Sequence, residues 1–478
     1  MSEDTVAAIA TPIGQAGIGV IRVSGDAALA VADRIFRPKP GRDRQAPTAM
    51  EERTPGTKRP SDFASHTVHF GVAVDPATGE PLDEVLLTVF RAPHSYTGED
   101  TVELSCHGGP AILRKILNAA LDAGAHPPEA GEFTKRAFLN GRLDLAQAEA
   151  VNDLIRAQTD EACRVALLQL EGSLSKKVRE AASTLAGILA RVEASIDFPD
   201  DVEEPLPEDT RASVSLLIEE LNALLATADR GRVYREGARV AIAGRPNVGK
   251  SSLLNALLRQ SRAIVTPIPG ATRDTIEETV NLKGVPVVAI DTAGLRETPD
   301  EVESLGVRRA EETIERAHIV ILALDAQAGL TEEDLTLHAR MAGKRVLAVL
   351  NKADLLSEDE IGRVLDDAAK RLGASPTVVS ALTGAGIEAL EDRMAEMILG
   401  GPALTVESAM VTNVRHKRAI ESALAGLSHA LQTLDAGRPV DLLSVDLMAA
   451  RNSLGEITGE TATEDLIDDI FSEFCIGK

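Results

Sequence analysis

Residues 244–251 read GRPNVGKS and match the pattern G-x-x-x-x-G-K-[ST], the loop that binds nucleotide phosphates. The apolar run 240–243 before this loop predicts a buried strand, and residues 252–258 after it predict a helix. Glycines let backbone N–H groups come close to the phosphates, and the following helix adds the positive end of its dipole. Lys250 would reach the β- and γ-phosphates, and Ser251 would bind magnesium. The segment therefore predicts an α/β nucleotide-binding domain.

Three further motifs follow in order, each after an apolar run that predicts a strand: DTAG at 291–294, NKAD at 351–354 and SAL at 380–382. Asp291 at its strand end would hold magnesium through water, and the Gly294 N–H can face the γ-phosphate. The Asp354 carboxylate can accept hydrogen bonds from the ring N–H and the exocyclic amine of guanine. Adenine lacks this arrangement of donors. Ser380 and Ala381 could close over the base. Together these motifs indicate GTP rather than ATP.

The four motifs in this order resemble the guanine-nucleotide-binding domain of the translation-factor-related GTPases. That resemblance makes Thr272, within PGATRD at 269–274, the candidate that senses the γ-phosphate through magnesium, although a plain loop threonine also fits. The expected nucleotide contacts are Asn247, Val248, Gly249, Lys250, Ser251, Ser252, Thr266, Thr272, Asp291, Thr292, Gly294, Asn351, Lys352, Asp354, Ser380 and Ala381.

The residue after DTAG is Leu295, where signalling GTPases place a glutamine that orients the attacking water. A leucine side chain cannot polarise water, so hydrolysis must be slow or must use another group. Four acids follow in the next stretch: Glu297, Asp300, Glu301 and Glu303. Any of them could act on water directly or through a second water. From spacing alone, a solvated acidic loop is the better interpretation of each.

Composition limits the classes of partner. The chain has 478 residues, which suggests about three domains. Lys plus Arg number 50 and Asp plus Glu number 74, so the net charge is −24. This charge argues against a broad electrostatic contact with nucleic acid, and any RNA contact must use a local basic patch or a partner protein.

Three cysteines, Cys106, Cys163 and Cys475, lack the spacing of metal ligands. No signal peptide and no apolar run of about 20 residues occur in the sequence. These features predict a cytoplasmic protein with reduced thiols and without a membrane span.

Periodicity divides the chain into four predicted parts: an α/β part at 1–124, helical parts at 125–233 and 401–478, and a GTPase part at 234–400. The GTPase part therefore lies between two helical parts. Their helices can pack into one domain with the GTPase domain inserted, because the termini of an inserted domain commonly lie close together. The predicted fold class is multidomain, combining α/β and all-α domains.

The clearest single elements are paired strands at 66–74 and 83–90 and helical patterns at 144–170, 173–196 and 463–474. Ser173 is placed to cap the helix that it begins. The apolar stripe of 463–474 is expected to pack in a helix–helix core. Between them, the proline-rich and basic stretch 37–61 predicts a long loop or a disordered insertion.

Two residues near the ends of the chain are candidate functional groups. Arg22 lies on a strand that is otherwise apolar, so its guanidinium needs a partner or a ligand. Cys475 follows an apolar helical stripe and is either a functional thiol or a small buried apolar side chain. The polar segments 96–100 and 131–144 are further site candidates, although a generic helix start would also explain the second.

The chain resembles the MnmE (TrmE) family of tRNA-modification GTPases over essentially its full length. The segments that carry the resemblance are YTGED at 96–100, GEFTKRAFLNGRLD at 131–144 with LAQAEA at 145–150, GRPNVGKS at 244–251, GATRD at 270–274, DTAGLR at 291–296 and FCIGK at 474–478. The segments near the two ends are far more specific to this family than the GTPase motifs.

The resemblance implies an α/β tetrahydrofolate-binding N-terminal domain, a discontinuous helical domain and an inserted Ras-like P-loop GTPase domain. It also implies a homodimer formed through the N-terminal domain, and an FAD-dependent partner, MnmG (GidA), in a heterotetramer or larger assembly. The family installs an aminomethyl or carboxymethylaminomethyl group at C5 of the wobble uridine, U34, of certain tRNAs. The one-carbon unit comes from 5,10-methylene-tetrahydrofolate, for which 5-formyl-tetrahydrofolate is an analogue, and the nitrogen comes from ammonium or glycine.

The resemblance also assigns site residues. The implied folate contacts are Arg22, Glu103, Arg142 and Lys478, the potassium ligands are Asn247, Thr266, Ile268 and Ala271, and the magnesium ligands are Ser251 and Thr272. Glu303 matches the acid that orients water, and Cys475 matches a cysteine of the modification step. Arg142 stands where some relatives have lysine, which keeps the charge and changes its geometry. The stretch 37–61 is longer than the family leads us to expect.

Two other functions fit the GTPase motifs. One is a ribosome-assembly or RNA-binding regulatory GTPase, which should carry a basic RNA-binding appendage. The other is a GTP-gated scaffold without chemistry, for which Cys475 would be inert. The acidic composition and the cysteine-containing end favour the modification GTPase over both.

Overall fold

The computed structural model describes residues 4–39, 58–202, 206–260, 278–291, 312–401 and 409–478. Most of the stretch 37–61 lies outside these residues. The chain forms two compact units, one of Met1–Asn152 with Thr458–Lys478 and one of Asp153–Ile457. The four-part division expected from the sequence remains a prediction.

The N-terminal unit contains a six-stranded antiparallel sheet in the order β1-β2-β6-β5-β4-β3. Its strands are β1 Val6–Ile9, β2 Ala16–Ser24, β3 Phe36–Pro38, β4 Thr67–Val74, β5 Pro81–Phe90 and β6 Thr101–Gly108. The expected pairing of the strands near 66–74 and 83–90 is confirmed, since β4 and β5 pair from Thr67 opposite Val89 onward.

Two helices, α1 Ala28–Ile35 and α2 Pro110–Asp122, cover one face of this sheet. Val31 and Ile35 of α1 and Leu113 and Ile116 of α2 are almost fully buried against the inward side chains of the strands. The apolar stripe of each helix therefore builds the core of the unit.

A second core of the same unit joins residues that are distant in sequence. It uses α3 Glu132–Leu139, α4 Leu145–Arg156 and the final helix α15 Glu464–Ser472. Phe471 and Phe474 pack with Leu145 and Ala148, so the stripe expected near 463–474 does form a helix–helix core. Gly131 begins α3 with a φ of 67°, and a Cβ there would lie 2.7 Å from the Phe471 carbonyl oxygen.

The second unit contains a six-stranded sheet in the order β12-β11-β10-β7-β9-β8, in which only β8 runs antiparallel to its neighbour. Its strands are β7 Ala238–Ala243, β8 Glu278–Leu282, β9 Val285–Asp291, β10 Ile319–Asp325, β11 Arg345–Asn351 and β12 Thr377–Val378. The helices that accompany it are α9 Lys250–Gln260, α10 Glu332–Arg340, α11 Glu358–Leu372 and α12 Ile387–Leu399. Parallel strands buried on both faces explain the uninterrupted apolar runs before each motif.

The remaining helices of this unit precede and follow the sheet: α5 Asp160–Leu170, α6 Ser173–Asp197, α7 Pro207–Leu225, α8 Ala228–Glu236, α13 Val414–Asp435 and α14 Val440–Thr458. Helix α7 packs along α13 although the whole sheet separates them in sequence. Tyr234 of α8 is 5% exposed and belongs to the core on one face of the sheet. None of the helices in the described residues is long and apolar enough to cross a membrane.

Two local expectations differ from the structure. The helical pattern at 144–170 is interrupted between α4 and α5, where the Thr159 hydroxyl accepts from the Ala162 N–H and begins a new helix. Ser173 does not cap α6, because Gly172 holds the N-cap position in a left-handed conformation, with φ of 86°. Within the described part of the chain the Ser173 hydroxyl is buried and has no hydrogen-bond partner.

Candidate functional site

The phosphate loop lies between the end of β7 and the start of α9, at the carboxyl edge of the parallel strands. Gly244 has a φ of 150° and Gly249 a φ of 91°. A Cβ on Gly244 would lie 2.5 Å from the Ala323 oxygen, and one on Gly249 would lie 2.4 Å from Asn351 Nδ2. Both glycines are therefore required by backbone conformation and by close approach.

The Lys250 side chain folds back across the first residues of the phosphate loop. Its Nζ donates to the carbonyl oxygens of Gly244 and Arg245, both at 2.9 Å. The ammonium is thus held where phosphate oxygens of a nucleotide would replace the carbonyls. Ser251 and Ser252 are exposed in the first turn of α9, at the positive end of the helix dipole.

Asn351 connects three of the four motifs. The side chain is 1% exposed; its Nδ2 donates to the Val248 oxygen at 2.9 Å, and its Oδ1 accepts from the Ala381 N–H at 3.0 Å. Because an amide offers both a donor and an acceptor, one side chain can fix the phosphate loop and the SAL segment together. Asn351 therefore positions the phosphate loop and the SAL segment relative to each other.

Lys352 makes a second connection. It has a φ of 63°, and its Nζ donates to the Asn247 oxygen at 2.7 Å and to Asp325 Oδ2 at 2.6 Å. Burial of the Asp325 carboxyl opposes its ionisation, but the hydrogen bond and charge of Lys352, together with backbone N–H groups of Gln327 and Ala328, outweigh this effect and lower the pKa of Asp325. Asp325 ends β10, and the sequence analysis missed it although its place after an apolar strand is a usable signal.

The expected base pocket is a cavity of about 560 Å³, whose lining includes Lys352, Asp354, Ala381 and Leu382. Ser380 Oγ donates to Asp354 Oδ1 at 2.5 Å, which orients the carboxylate. A carboxylate in this place can accept the two N–H groups of guanine. The geometry thus brings together the residues that the sequence analysis chose for the base.

Arg245 is the second cation of the phosphate loop, and its carbonyl oxygen accepts one of the Lys250 hydrogen bonds. Its Nε donates to Asp334 Oδ1 at 2.9 Å, and the Asp334 side chain is fully buried. Among the described residues, Arg245 Nη2 is buried and has no hydrogen-bond partner, so the pair with Asp334 engages only part of the guanidinium. Asp334 was not among the predicted site residues, because its only local signal is the helix-start pattern with Thr331.

The N-terminal unit contains a second cluster of predicted site residues. Arg22 of β2 lies opposite Glu103 of β6, and its Nε donates to Glu103 Oε1 at 2.8 Å. The guanidinium carbon lies 5.1 Å from the centre of the Tyr96 ring and 5.6 Å from that of Phe133. Among the described residues, Arg22 Nη1 is buried and has no hydrogen-bond partner. A buried donor without a partner fits a polar ligand atom.

Lys478 belongs to the same cluster. Burial, together with the charge of Arg22, lowers the pKa of Lys478, while Glu103 and Cys475 act in the opposite direction. The Cys475 side chain is exposed. The structure therefore brings Arg22 and Glu103 together with Cys475 and Lys478, although the chain separates these two pairs by hundreds of residues.

Comparison with known proteins decides the family. A model described as the MnmE helical domain matches residues 145–475, and one described as the GTP-binding protein TrmE N-terminus matches residues 5–142. The tRNA modification GTPase MnmE of Moorella thermoacetica is 48% identical over 480 residues, which cover 100% of both chains. That of Geobacillus kaustophilus is 47% identical, with 99% of both chains covered.

This chain belongs to the MnmE family. It is a GTP hydrolase of tRNA modification, with the N-terminal α/β, helical and P-loop GTPase domains of that family. Among solved structures, Era of Aquifex aeolicus bound to GDP·AlF4− matches with 27% identity, a TM-score of 0.28, and 39% of this chain and 66% of that chain covered. The FeoB G-domain of Methanococcus jannaschii matches with 26% identity, a TM-score of 0.25, and 34% and 97% covered.

Arg142 of this MnmE-family chain donates from Nη1 to the Ser95 oxygen, and its charge also acts on Tyr96. The Tyr96 hydroxyl hydrogen-bonds with Thr134 Oγ1 at 2.9 Å, and burial raises the pKa of the phenol. Tyr96 and Phe133 lie within the segments 96–100 and 131–144, but no local pattern marks their rings as neighbours of Arg22, because they are distant from it in sequence.

Several predicted residues lie outside the described part of this MnmE-family chain: Thr266, Ile268, Ala271, Thr272, Thr292, Gly294 and Glu303. The other acids after Leu295, Glu297, Asp300 and Glu301, lie there too. Asp291 is the last residue of β9, at the same sheet edge as the phosphate loop. The roles of all these residues stay predictions.

The three cysteines of this MnmE-family chain have different surroundings. Cys106 is buried, and burial raises the pKa of its thiol to about 11, so it is unreactive near neutral pH. Cys163 and Cys475 are exposed free thiols. Among the described residues, no group of three or more His, Cys, Asp or Glu side chains could hold a metal ion.

Proposed function

We propose that this MnmE-family chain uses GTP hydrolysis to control modification at C5 of the wobble uridine of tRNA. It would act as a homodimer in the cytoplasm, with an FAD-dependent MnmG partner, and would install an aminomethyl or carboxymethylaminomethyl group. The observation that carries the proposal is the buried, unpartnered Nη1 of Arg22 in the described part of the cluster with Glu103, Lys478 and Cys475.

The residues of this cluster fit a folate. Arg22, Arg142 and Lys478 would offset its carboxylates or donate to its ring, and Glu103 would accept N–H groups of the pterin. When bound, methylene-tetrahydrofolate supplies the one-carbon unit. Cys475 is exposed beside Lys478, which suits a thiol that takes part in the modification step.

The nucleotide site suits cations that take oxygen ligands. Ser251 and Thr272 would bind Mg²⁺, while K⁺ would be bound by Asn247, Thr266, Ile268 and Ala271. The Asn247 side chain is exposed, and the φ angle of this residue is 63°. Bound K⁺ would supply positive charge near the phosphates, as an arginine finger does in other GTPases. Glu303 would orient the attacking water, and the pairing of two GTPase domains would complete the cation site.

Nucleoside mass spectrometry of bulk tRNA tests the proposal. A bacterium that lacks its own MnmE would carry this gene, with the partner flavoprotein from the same source. We expect the intact gene to restore C5-modified wobble uridine, and the Cys475→Ser variant to fail. Cys163→Ser is the matched control because it also removes an exposed thiol, and it should restore modification fully.

Folate binding is measured separately, by calorimetry with 5-formyl-tetrahydrofolate. We expect Arg22→Ala to weaken binding at least about tenfold, because a charge-assisted hydrogen bond is lost. Binding that is unchanged in Arg22→Ala would place the folate elsewhere. Soluble protein that restores no modification would instead support a ribosome-assembly or scaffold role.

A further inference from the structure

Side chains from two different elements hold the phosphate loop. Asn351 and Lys352 reach it from the end of β11, through the carbonyl oxygens of Val248 and Asn247. Both contacts act on the middle of the loop. The start of the loop is held from another element, α10, by the ion pair of Arg245 with Asp334.

The ion pair is well enclosed. The Asp334 side chain is 0% exposed and that of Arg245 is 23% exposed. Asp334 Oδ2 accepts from the Thr331 N–H at 3.1 Å and from Thr331 Oγ1 at 2.8 Å, so both carboxylate oxygens are occupied. Removing the arginine would leave a buried charge without its counter-ion, which is far more costly than losing a surface pair.

The loop needs such support because its backbone is unusual. Gly244, Asn247 and Gly249 all have positive φ, at 150°, 63° and 91°. A chain without anchors would spend much of its time in other conformations, and its affinity for a nucleotide would fall in proportion to the population that is competent to bind. Each anchor therefore raises affinity by favouring the binding conformation of the loop, whether or not it also contacts the ligand.

We propose that Arg245 and Asp334 form a positioning pair, through which the first turn of α10 fixes the phosphate loop and sets the affinity for GDP and GTP. The inference needs only the GTP binding that the family establishes. It does not depend on folate, potassium or tRNA, so it can fail while the proposed function stands.

The test measures GDP affinity and GDP release with a fluorescent GDP analogue, using the full chain. We expect Asp334→Asn and Arg245→Met each to weaken GDP binding about tenfold, mainly through faster release. The KM for GTP should rise while kcat at saturating GTP changes less than about twofold, because bound nucleotide restores the loop. The double variant Arg245→Met with Asp334→Asn should lose no more than either single variant.

Glu332 supplies a matched control. It lies in the same first turn of α10 and pairs with an arginine, Arg371, which lies on α11 and not in the loop. Glu332→Gln should therefore leave GDP release unchanged. The conservative Arg245→Lys keeps a cation, so it should bind GDP more tightly than Arg245→Met. A role of Arg245 in packing alone would not require this difference.

A double apolar variant serves as the control for misfolding. Arg245→Met with Asp334→Leu removes both charges, so it should fold even where a single variant does not, and it should still release GDP faster. The proposal is overturned if the folded variants release GDP like the wild type. It is also overturned if the effects of the two single variants add, or if Glu332→Gln releases GDP equally fast.

Discussion

Asp354 shows how a single side chain can set base specificity. Its carboxylate is oriented by Ser380 and lines the base cavity. Asp354→Asn turns one acceptor into a donor, so the exocyclic amine of guanine loses its partner while the oxygen of xanthine gains one. We expect affinity for GDP to fall about a hundredfold and affinity for XDP to rise, as measured by competition binding.

Asp359→Asn is the matched control, since Asp359 is an exposed acid in the first turn of α11. It should leave both affinities unchanged. A folded Asp354→Asn protein that still prefers GDP over XDP would show that another group reads the base.

At the residue scale, the sequence predicted those groups that lie directly after apolar strands, such as Asn351 and Asp354. Strand ends of a parallel sheet meet at one edge, so local order is enough to bring them together. The Arg245–Asp334 pair joins residues 89 positions apart, and its aspartate carries only a helix-start signal. Such a pair depends on the packing of α10, which no local pattern encodes.

Helix α15 provides the prediction at the scale of elements. Phe471 is 1% exposed and packs on Leu145, Phe474 and the Phe138 ring. Phe471→Ala should lower the free energy of unfolding of the N-terminal unit by about 3–5 kcal/mol, because it leaves a cavity in that core. Urea unfolding followed by circular dichroism measures the change.

Phe198→Ala is the control for this substitution, because the Phe198 side chain is 58% exposed. It should change the stability by less than about 0.5 kcal/mol. Equal losses for the two variants would mean that α15 does not stabilise the unit through Phe471.

Periodicity predicted most helices and strands, including the buried stripe of α15, because amphipathic faces repeat at fixed spacing. It did not predict the break before α5, since Thr159 begins a new helix within an otherwise continuous helical pattern. It also chose Ser173 as a cap where Gly172 holds that position. A glycine in the left-handed region ends one helix and begins another, and side-chain preference alone does not reveal this.

The charge of the whole molecule leads to a prediction about tRNA. With a net charge of −24, long-range repulsion opposes the approach of a polyanion. We expect the chain alone to bind unfractionated tRNA with a Kd weaker than about 10 µM at about 0.15 M salt. Filter binding over a salt series measures this affinity and its slope.

Addition of the partner flavoprotein should strengthen tRNA binding in the same assay. Tight binding by the chain alone, with a steep salt dependence, would reveal a local basic surface strong enough to overcome the net charge. At this scale the sequence indicated several domains and the insertion. Periodicity and composition could not indicate that Thr458–Lys478 joins Met1–Asn152 in one compact unit, because that contact spans almost the entire chain. Only the family resemblance, which groups Lys478 with Arg22 and Glu103, pointed to it.

The two tyrosines make the units optically distinguishable. The chain has two tyrosines and no tryptophan, and Tyr96 belongs to one compact unit while Tyr234 belongs to the other. Replacing either tyrosine with phenylalanine leaves a single tyrosine in a known unit. The melting of each unit can then be followed by its own ultraviolet emission, without an added dye.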